Sequence, residues 1–239
     1  MNVKHVDFYG FFILFCSFVF IVSTKSFAGV SLDSSRVIFH SDNSTQQINL
    51  VNANDYPVIV QIWVNDGGFD ISSEDASYVP VIPVPAIFNL SPRERRSINL
   101  IRIRDDMPVN MESLYWFNIY EIPPHSNSSL VSENVMVVTM QTQYKLFFRP
   151  DFIKEKITKV GEYIKLNWCD GKLKINNQGP FYLTITRIEL DNHTPPLQPQ
   201  MLAPFSSDSL ELPIKPSAQS ASIYYLDDYG VEQLWKVAL

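Results

Sequence analysis

Apolar and polar residues alternate along much of the chain, a pattern that predicts β-strands. The longest instance is residues 134–150, where Met136, Val138 and Met140 share one face of a predicted strand. The opposite face is also largely apolar. We therefore expect either a central strand of a sandwich or an edge strand that another molecule covers. Pro150 lacks a backbone N–H and is expected to end the strand.

Shorter runs with the same period precede and follow this strand. Before it, strands are predicted at residues 30–39, 46–52, 57–64, 97–104 and 115–122. The prolines of residues 78–89 indicate an edge strand or a crossover there. After it, strands are predicted at residues 163–169, 173–177, 181–190, 209–214, 221–225 and 232–237. Trp63 follows Ile59 and Gln61 at period 2 and is predicted to lie in the core.

These strands predict an all-β fold with two immunoglobulin-like β-sandwich domains, since about seven strands and roughly 100 residues make one such domain. We expect the first domain at residues 29–150, a hinge at 151–156 and a smaller sandwich at 157–239. Residues 1–28 have the pattern of a secretory signal peptide that ends at Ala28. Its apolar run is shorter than the roughly 20 residues that span a bilayer, so cleavage is favoured over an uncleaved anchor helix.

Composition restricts the possible partners and chemistry. The formal net charge is −6, which argues against nucleic acid as a partner. Cys16 lies in the predicted signal peptide, so Cys169 has no mate for a disulfide in the mature chain. The four histidines lack metal-site spacing, and the sequence has neither a nucleophile elbow nor a glycine-rich phosphate loop. We therefore expect no enzymatic activity, no metal and no cofactor.

Two basic residues lie inside predicted strands, Arg36 in SLDSSRVIF and Lys145 in QYKLFF. In one interpretation each extends its charge to the surface along apolar neighbours. In the other, both point into a cleft and bind an anion. A carboxylate between two partly desolvated cations gains charge-assisted hydrogen bonds of roughly 1.5 to 3 kcal/mol each. The pattern alone leaves both interpretations open.

Several segments, in order, resemble the periplasmic pilus-assembly chaperones of the chaperone-usher family. They are GVSLDSSRVIF around Arg36, QIWV, PVIPVPAIFNLSP, ESLYWFNIYEIPP, the strand ending YKLFFRP, NNQGPFYLT and LDDYG. The resemblance covers nearly the whole mature chain, and the short loop before the long strand resembles the short-loop branch. One departure is Pro85-Ala86, where the family has a proline pair in its crossover.

The resemblance implies two immunoglobulin-like domains in an L or boomerang arrangement, with Arg36 and Lys145 in the cleft between them. These residues would anchor the carboxy-terminal carboxylate of a pilus or fimbrial subunit. By donor-strand complementation, Met136, Val138 and Met140 would enter the groove of a subunit that lacks its last strand. The chaperone would work in the periplasm without a cofactor and deliver subunits to an outer-membrane usher. When free, it could cap its exposed strand by forming a dimer.

The resemblance also implies an interdomain salt bridge of Glu112, Arg149 and Asp228 that sets the angle between the domains. Ordinary exposed ion pairs at these positions would each contribute under about 1 kcal/mol. The alternative function is a secreted immunoglobulin-like adhesive or binding module, in which the two basic residues are incidental.

Strict alternation places Lys145 and Met140 on opposite faces of the long strand. Lys145 would then reach the cleft either through a bulge between Gln141 and Lys145 or through the twist of the strand.

Overall fold

The computed structural model describes residues 29–67, 78–124, 138–169, 171–190, 200–211 and 220–238. The predicted signal peptide and residues 134–137 of the predicted long strand lie outside this range. None of the helices in these ranges has the length and hydropathy of a membrane span. The described residues form β-sheets that enclose two separate hydrophobic cores.

The amino-terminal sandwich consists of two sheets. Its strands are β1 (Val30–Leu32), β2 (Arg36–His40), β3 (Thr45–Asn52), β4 (Val58–Asn65), β5 (Val81–Val84), β6 (Ile87–Leu90), β7 (Arg95–Arg102), β8 (Ser113–Ile122) and β9 (Met140–Arg149). One sheet has the order β1-β3-β7-β5 and the other β2-β9-β8-β4-β6. Alternate residues face inward, so that Leu50, Leu100 and Phe117 are fully buried between the sheets. Burying each such side chain contributes roughly 1.5 to 3 kcal/mol, and the core forms without a disulfide.

The first predicted strand, residues 30–39, is divided between the two sheets, so its prediction as one strand was wrong. β1 pairs with β3 in one sheet, whereas β2 pairs in parallel with β9 in the other. The chain bends at Asp33-Ser34-Ser35, whose short polar side chains favour turns. This switch places Arg36 at the start of β2, beside β9.

Residues 78–89 contain the predicted crossover. β5 lies at the edge of one sheet and β6 at the edge of the other, and the Val84–Pro85 peptide between them is cis. The prediction that Trp63 lies in the core was wrong. In β4 it is Val60, Ile62 and Val64 that face the core, while Trp63 is half-buried on the outer face.

The carboxy-terminal sandwich also consists of two sheets. Its strands are β10 (Ile164–Cys169), β11 (Lys172–Asn177), β12 (Leu183–Leu190), β13 (Gln200–Leu202), β14 (Ser207–Glu211), β15 (Ser220–Leu226) and β16 (Glu232–Ala238). Their orders are β10-β11-β14 and β13-β12-β15-β16, around a core that includes Phe181 and Ile185. The sequence pattern predicted these strands except β13, which is too short to display a period. The prediction of an all-β fold with two sandwiches is confirmed.

The two sandwiches are joined by short helical turns. A 3₁₀ turn at Asp151–Ile153 leads into α1 (Lys154–Ile157), and a second 3₁₀ turn at Val160–Tyr163 leads into β10. Ile153 is fully buried and belongs to the core of the second sandwich. The connecting segment is therefore anchored to the second core at Ile153.

Candidate functional site

Arg36 and Lys145 are direct partners on neighbouring parallel strands. The register of β2 and β9 pairs Arg36 with Lys145 and continues to His40 with Arg149. Because Val37 and Leu146 are buried in the core, the alternate residues Arg36 and Lys145 share the outer face of the sheet. The structure thus brings together the two basic residues that the sequence singled out.

Lys145 reaches this position without a bulge. β8 and β9 pair in uninterrupted register from Ser113 with Phe148 to Glu121 with Met140. Lys145 and Met140 therefore lie on opposite faces, as the alternation predicted. Of the two ways proposed for Lys145 to reach the cleft, the bulge is excluded.

The electrostatics of the pair are those of two partly buried like charges. Burial lowers the pKa of Lys145, and the charge of Arg36 lowers it further. Burial also lowers the pKa of Arg36, although Asp228 and Asp227 oppose that shift. The Arg36 Nε atom is buried and has no hydrogen-bond partner in the described part of the chain. Within the same residues, neither cation forms a salt bridge, so the pair is suited to an anion from outside the chain.

A cleft of about 300 Å³ opens beside Arg36, between the two sandwiches. The amino-terminal sandwich contributes Arg36 and Phe147 to its lining, and the carboxy-terminal sandwich contributes Tyr182, Tyr225 and Leu226. The rings of Phe147 and Tyr182 lie 5.6 Å apart, centroid to centroid, across the boundary between the sandwiches. The sequence pattern gave no sign of this aromatic contact.

Glu112, Arg149 and Asp228 form the ion-pair network at the base of this cleft. The Arg149 Nε atom donates to Glu112 Oε1 at 2.5 Å, and its two terminal nitrogens donate to Asp228 at 2.5 and 2.7 Å. Glu112 Oε2 also accepts the backbone N–H of Tyr182 at 2.8 Å. Arg149 is 3% exposed and Glu112 2%. This part of the network is therefore buried, unlike the ordinary exposed pairs considered above.

The burial of this network perturbs its ionisation. Burial raises the pKa of Glu112, and Arg149 and the Tyr182 N–H only partly oppose that shift. Burial acts to lower the pKa of Arg149, but the bonds from both carboxylates outweigh it and raise that pKa.

The predicted donor residues lie at the amino-terminal end of β9. Val138 is 64% exposed and Met140 48%, while Met136 lies outside the described residues. The strand begins at Met140, so the prediction of strand at residues 138–139 was wrong. β8 flanks residues 140–148 of β9, but β2 flanks only residues 145–149. Among the described strands, none covers the other edge of residues 140–144.

A polar network on the outer face of the same sheet was not predicted. Asn118 is fully buried, and its Oδ1 atom accepts hydrogen bonds from Gln141 and Gln143 of β9. Its Nδ2 atom donates to Asn65 of β4. The sequence alternation predicts only on which face of its strand each of these residues lies. Their pairing depends on the register of β4, β8 and β9. The network fixes the outer face of β9 next to Lys145.

Two family models match the chain. Residues 29–154 match the model described as pili and flagellar-assembly chaperone, PapD N-terminal domain. Residues 162–234 match the model described as pili assembly chaperone PapD, C-terminal domain. The chain belongs to the pili-assembly chaperone family. The role of this family is that of a chaperone and not of an enzyme, and the match gives no support to an adhesive module.

Individual members of the family match over nearly their whole length. The chaperone PmfD of Proteus mirabilis is 30% identical over 238 residues, which cover 91% of this chain and 87% of PmfD. The crystal structure of the Pseudomonas aeruginosa CupB2 chaperone has a TM-score of 0.74 at 25% identity, and the match covers 87% of this chain and 100% of CupB2. A structure of the Salmonella enterica SafA pilin in complex with the SafB chaperone matches with a TM-score of 0.71 at 24% identity, over 91% of this chain and 99% of the matched chain. These chaperones confirm the predicted immunoglobulin-like fold.

Proposed function

We propose that this chaperone binds pilus subunits and holds the carboxy-terminal carboxylate of each subunit between Arg36 and Lys145. The observation that carries the proposal is the direct pairing of these two residues across β2 and β9. Two partly buried cations repel each other and have lost part of their hydration, and a bound carboxylate offsets both costs. A chain terminus is an anion that every protein partner can present.

The strand arrangement supports one orientation for the subunit. The open edge of residues 140–144 continues the line of β2, which begins at Arg36. A subunit strand on this edge brings its carboxy terminus to Arg36 only if it runs in the same direction as β9. An antiparallel strand would bring its amino terminus there, and two cations would repel it. The subunit strand is therefore parallel to the donor strand.

The donor residues would supply the apolar part of the contact. Val138 and Met140 are exposed at the open edge, and Met136 continues the same alternation. In β-augmentation the backbone hydrogen bonds provide affinity, and alternate side chains fill pockets of the partner. The same contact covers an edge that would otherwise be open to aggregation. Because the subunit gains a strand that it lacks, no cofactor is needed.

The remaining parts of the proposal concern the setting in which the chaperone works. The chain would divide into a domain at residues 29–150, a hinge at 151–156 and a domain at 157–239. The first core ends at Phe148, which supports the first boundary, whereas Ile153 of the hinge already belongs to the second core. Glu112, Arg149 and Asp228 would hold these domains at a fixed angle. The chaperone would be exported to the periplasm by its signal peptide, deliver subunits to an outer-membrane usher, and cap its open edge by dimerising when free.

Co-purification from the periplasm with a candidate pilus subunit tests the proposal. The native chain is compared with Lys145→Ala in the basic pair and with Val138→Asp at the open edge. Lys165→Ala, an exposed lysine on β10, is the matched control for the loss of a positive charge. We expect the native chain and the control to retain the subunit, and the other two variants to fold but lose it. Equal retention by all four proteins would overturn the assignment of the site.

A further inference from the structure

The cleft continues past the basic pair into the boundary between the two sandwiches. Arg36 lines this space, whereas Lys145 lies outside its lining. Its volume of about 300 Å³ is at the lower limit of small-molecule pockets and accommodates one large side chain, not a longer segment of chain. A polypeptide end bound at Arg36 therefore meets a cavity for a single residue.

Apolar and aromatic residues form about half of the lining of this cavity. The amino-terminal sandwich contributes Phe147. The other apolar and aromatic residues of the lining belong to the second sandwich or its connecting turns: Ile157, Val160, Tyr182, Leu183, Tyr225, Leu226 and Tyr229. Aromatic walls of this kind favour another ring, which gains both area burial and ring contacts. The cavity therefore offers apolar and aromatic contacts, whereas Arg36 and Lys145 beside it offer positive charge.

Three carboxylates also line the cavity, and the chain itself already satisfies all of them. Arg149 binds Glu112 and Asp228, as described above. Asp227 Oδ1 accepts the N–H groups of Tyr229 and Val231, and Oδ2 accepts Gln233 Nε2. Arg149 also lines the cavity and offsets part of the carboxylate charge, and the terminal carboxylate occupies Arg36. A charged side chain would therefore lose hydration in the cavity without gaining an unpaired partner of opposite charge.

We propose that the cavity selects subunits whose last residue has a large, uncharged and mainly apolar side chain, such as tyrosine or phenylalanine. The terminal carboxylate lies between Arg36 and Lys145, and the side chain of the same residue enters the cavity. This inference rests on the proposed function of the basic pair and adds a preference for one kind of terminal residue.

Synthetic peptides that share one alternating apolar sequence and differ only at the last position test the inference. They end in tyrosine, alanine or aspartate with a free carboxylate, or in tyrosine amide, and their affinity for the purified native chaperone is measured by titration calorimetry. Burial of an aromatic ring should make the tyrosine peptide about tenfold to a hundredfold tighter than the alanine peptide. The aspartate peptide should bind no better than the alanine peptide, and the amide should lose most of the affinity.

The four peptides distinguish failure of the inference from failure of the proposed function. Equal affinity for tyrosine and alanine peptides, both well above the amide, would overturn the side-chain preference and leave the carboxylate anchor intact. Equal affinity for the amide and the free tyrosine peptide, or no binding of any peptide, would overturn both.

Tyr225 provides a second measurement on the chaperone itself. Tyr225→Ala removes one wall of the cavity and should reduce the preference for tyrosine over alanine at least several-fold. Tyr225→Phe keeps the wall and should preserve the preference. An unchanged preference in Tyr225→Ala would contradict the proposed place of the side chain.

Discussion

Replacement of Arg149 by methionine should destabilise the protein much more than loss of an ordinary ion pair. The change removes a buried cation but keeps an unbranched side chain, and it leaves Glu112 with the Tyr182 N–H as its remaining bond in the network. Leaving one partner of a buried pair uncompensated costs about 3 to 5 kcal/mol. Asp228 is the matched control. Its side chain is 36% exposed and can be rehydrated, so Asp228→Asn should cost about 1 kcal/mol or less.

The loss of unfolding free energy in Arg149→Met should depend on pH, and the ionisation of Glu112 determines the direction of that dependence. Burial already raises the pKa of Glu112 above its usual value, and loss of Arg149 should raise it further. A carboxyl whose pKa is higher in the folded state than in the unfolded state adds stability at low pH, and that stability is lost as the pH rises through the folded-state pKa. The deficit relative to the native chain should therefore shrink as the pH falls from 7 towards 5.

Urea denaturation measures both effects. The unfolding is followed by tryptophan fluorescence and by far-UV circular dichroism, because two domains that unfold separately would give transitions that do not coincide. A cost below about 1 kcal/mol for Arg149→Met at pH 7 would show that Glu112 is not left as an uncompensated buried charge. A stability deficit that stays constant or grows as the pH falls would show that Glu112 ionisation is not its cause.

Two further predictions concern Lys145 and Gly161. Subunit affinity should fall as the pH rises through the alkaline range, because a bound carboxylate raises the pKa of Lys145 above its lowered free value and binding is lost above the bound pKa. Lys145→Arg should largely remove this dependence, since guanidinium stays charged, and an unchanged alkaline decline in this variant would exclude Lys145 as its cause. Gly161→Ala should destabilise the second sandwich by about 1 to 3 kcal/mol through overpacking, because a Cβ there would lie 1.9 Å from the Trp235 ring. Urea denaturation should show this cost vanish in a Trp235→Ala background, and an equal cost in both backgrounds would count against the contact.

Local pattern was sufficient to predict most strands and to single out the two cations. Period-2 alternation is a property of neighbouring residues, so it identified strands such as β4 and β8 directly. A charge in an otherwise apolar strand is also visible locally, which drew attention to Arg36 and Lys145. The pairing of these two residues is different, because it depends on the register of strands far apart in sequence. The resemblance to a known family, and not the alternation pattern, predicted that these two residues lie together in one cleft.

The wrong predictions have local physical causes. Both faces of β4 carry large side chains, so periodicity could not tell which face meets the core, and Trp63 was assigned to the wrong one. Residues 30–39 keep alternating across the polar turn at Asp33-Ser34-Ser35, so a change of sheet appeared as one continuous strand. The cavity beside Arg36 is formed by residues of both sandwiches. Its existence depends on their packing, which strand prediction does not address.

A crystal structure of this chaperone bound to a candidate pilus subunit would show directly where the subunit strand and its terminus lie. We expect a subunit strand parallel to β9 along residues 138–144. We also expect a terminal carboxylate about 3 Å from both the Arg36 guanidinium and Lys145 Nζ, the usual distance of a charge-assisted hydrogen bond. A subunit bound elsewhere, or bound with its carboxy terminus away from both cations, would show that Arg36 and Lys145 are not the anchor.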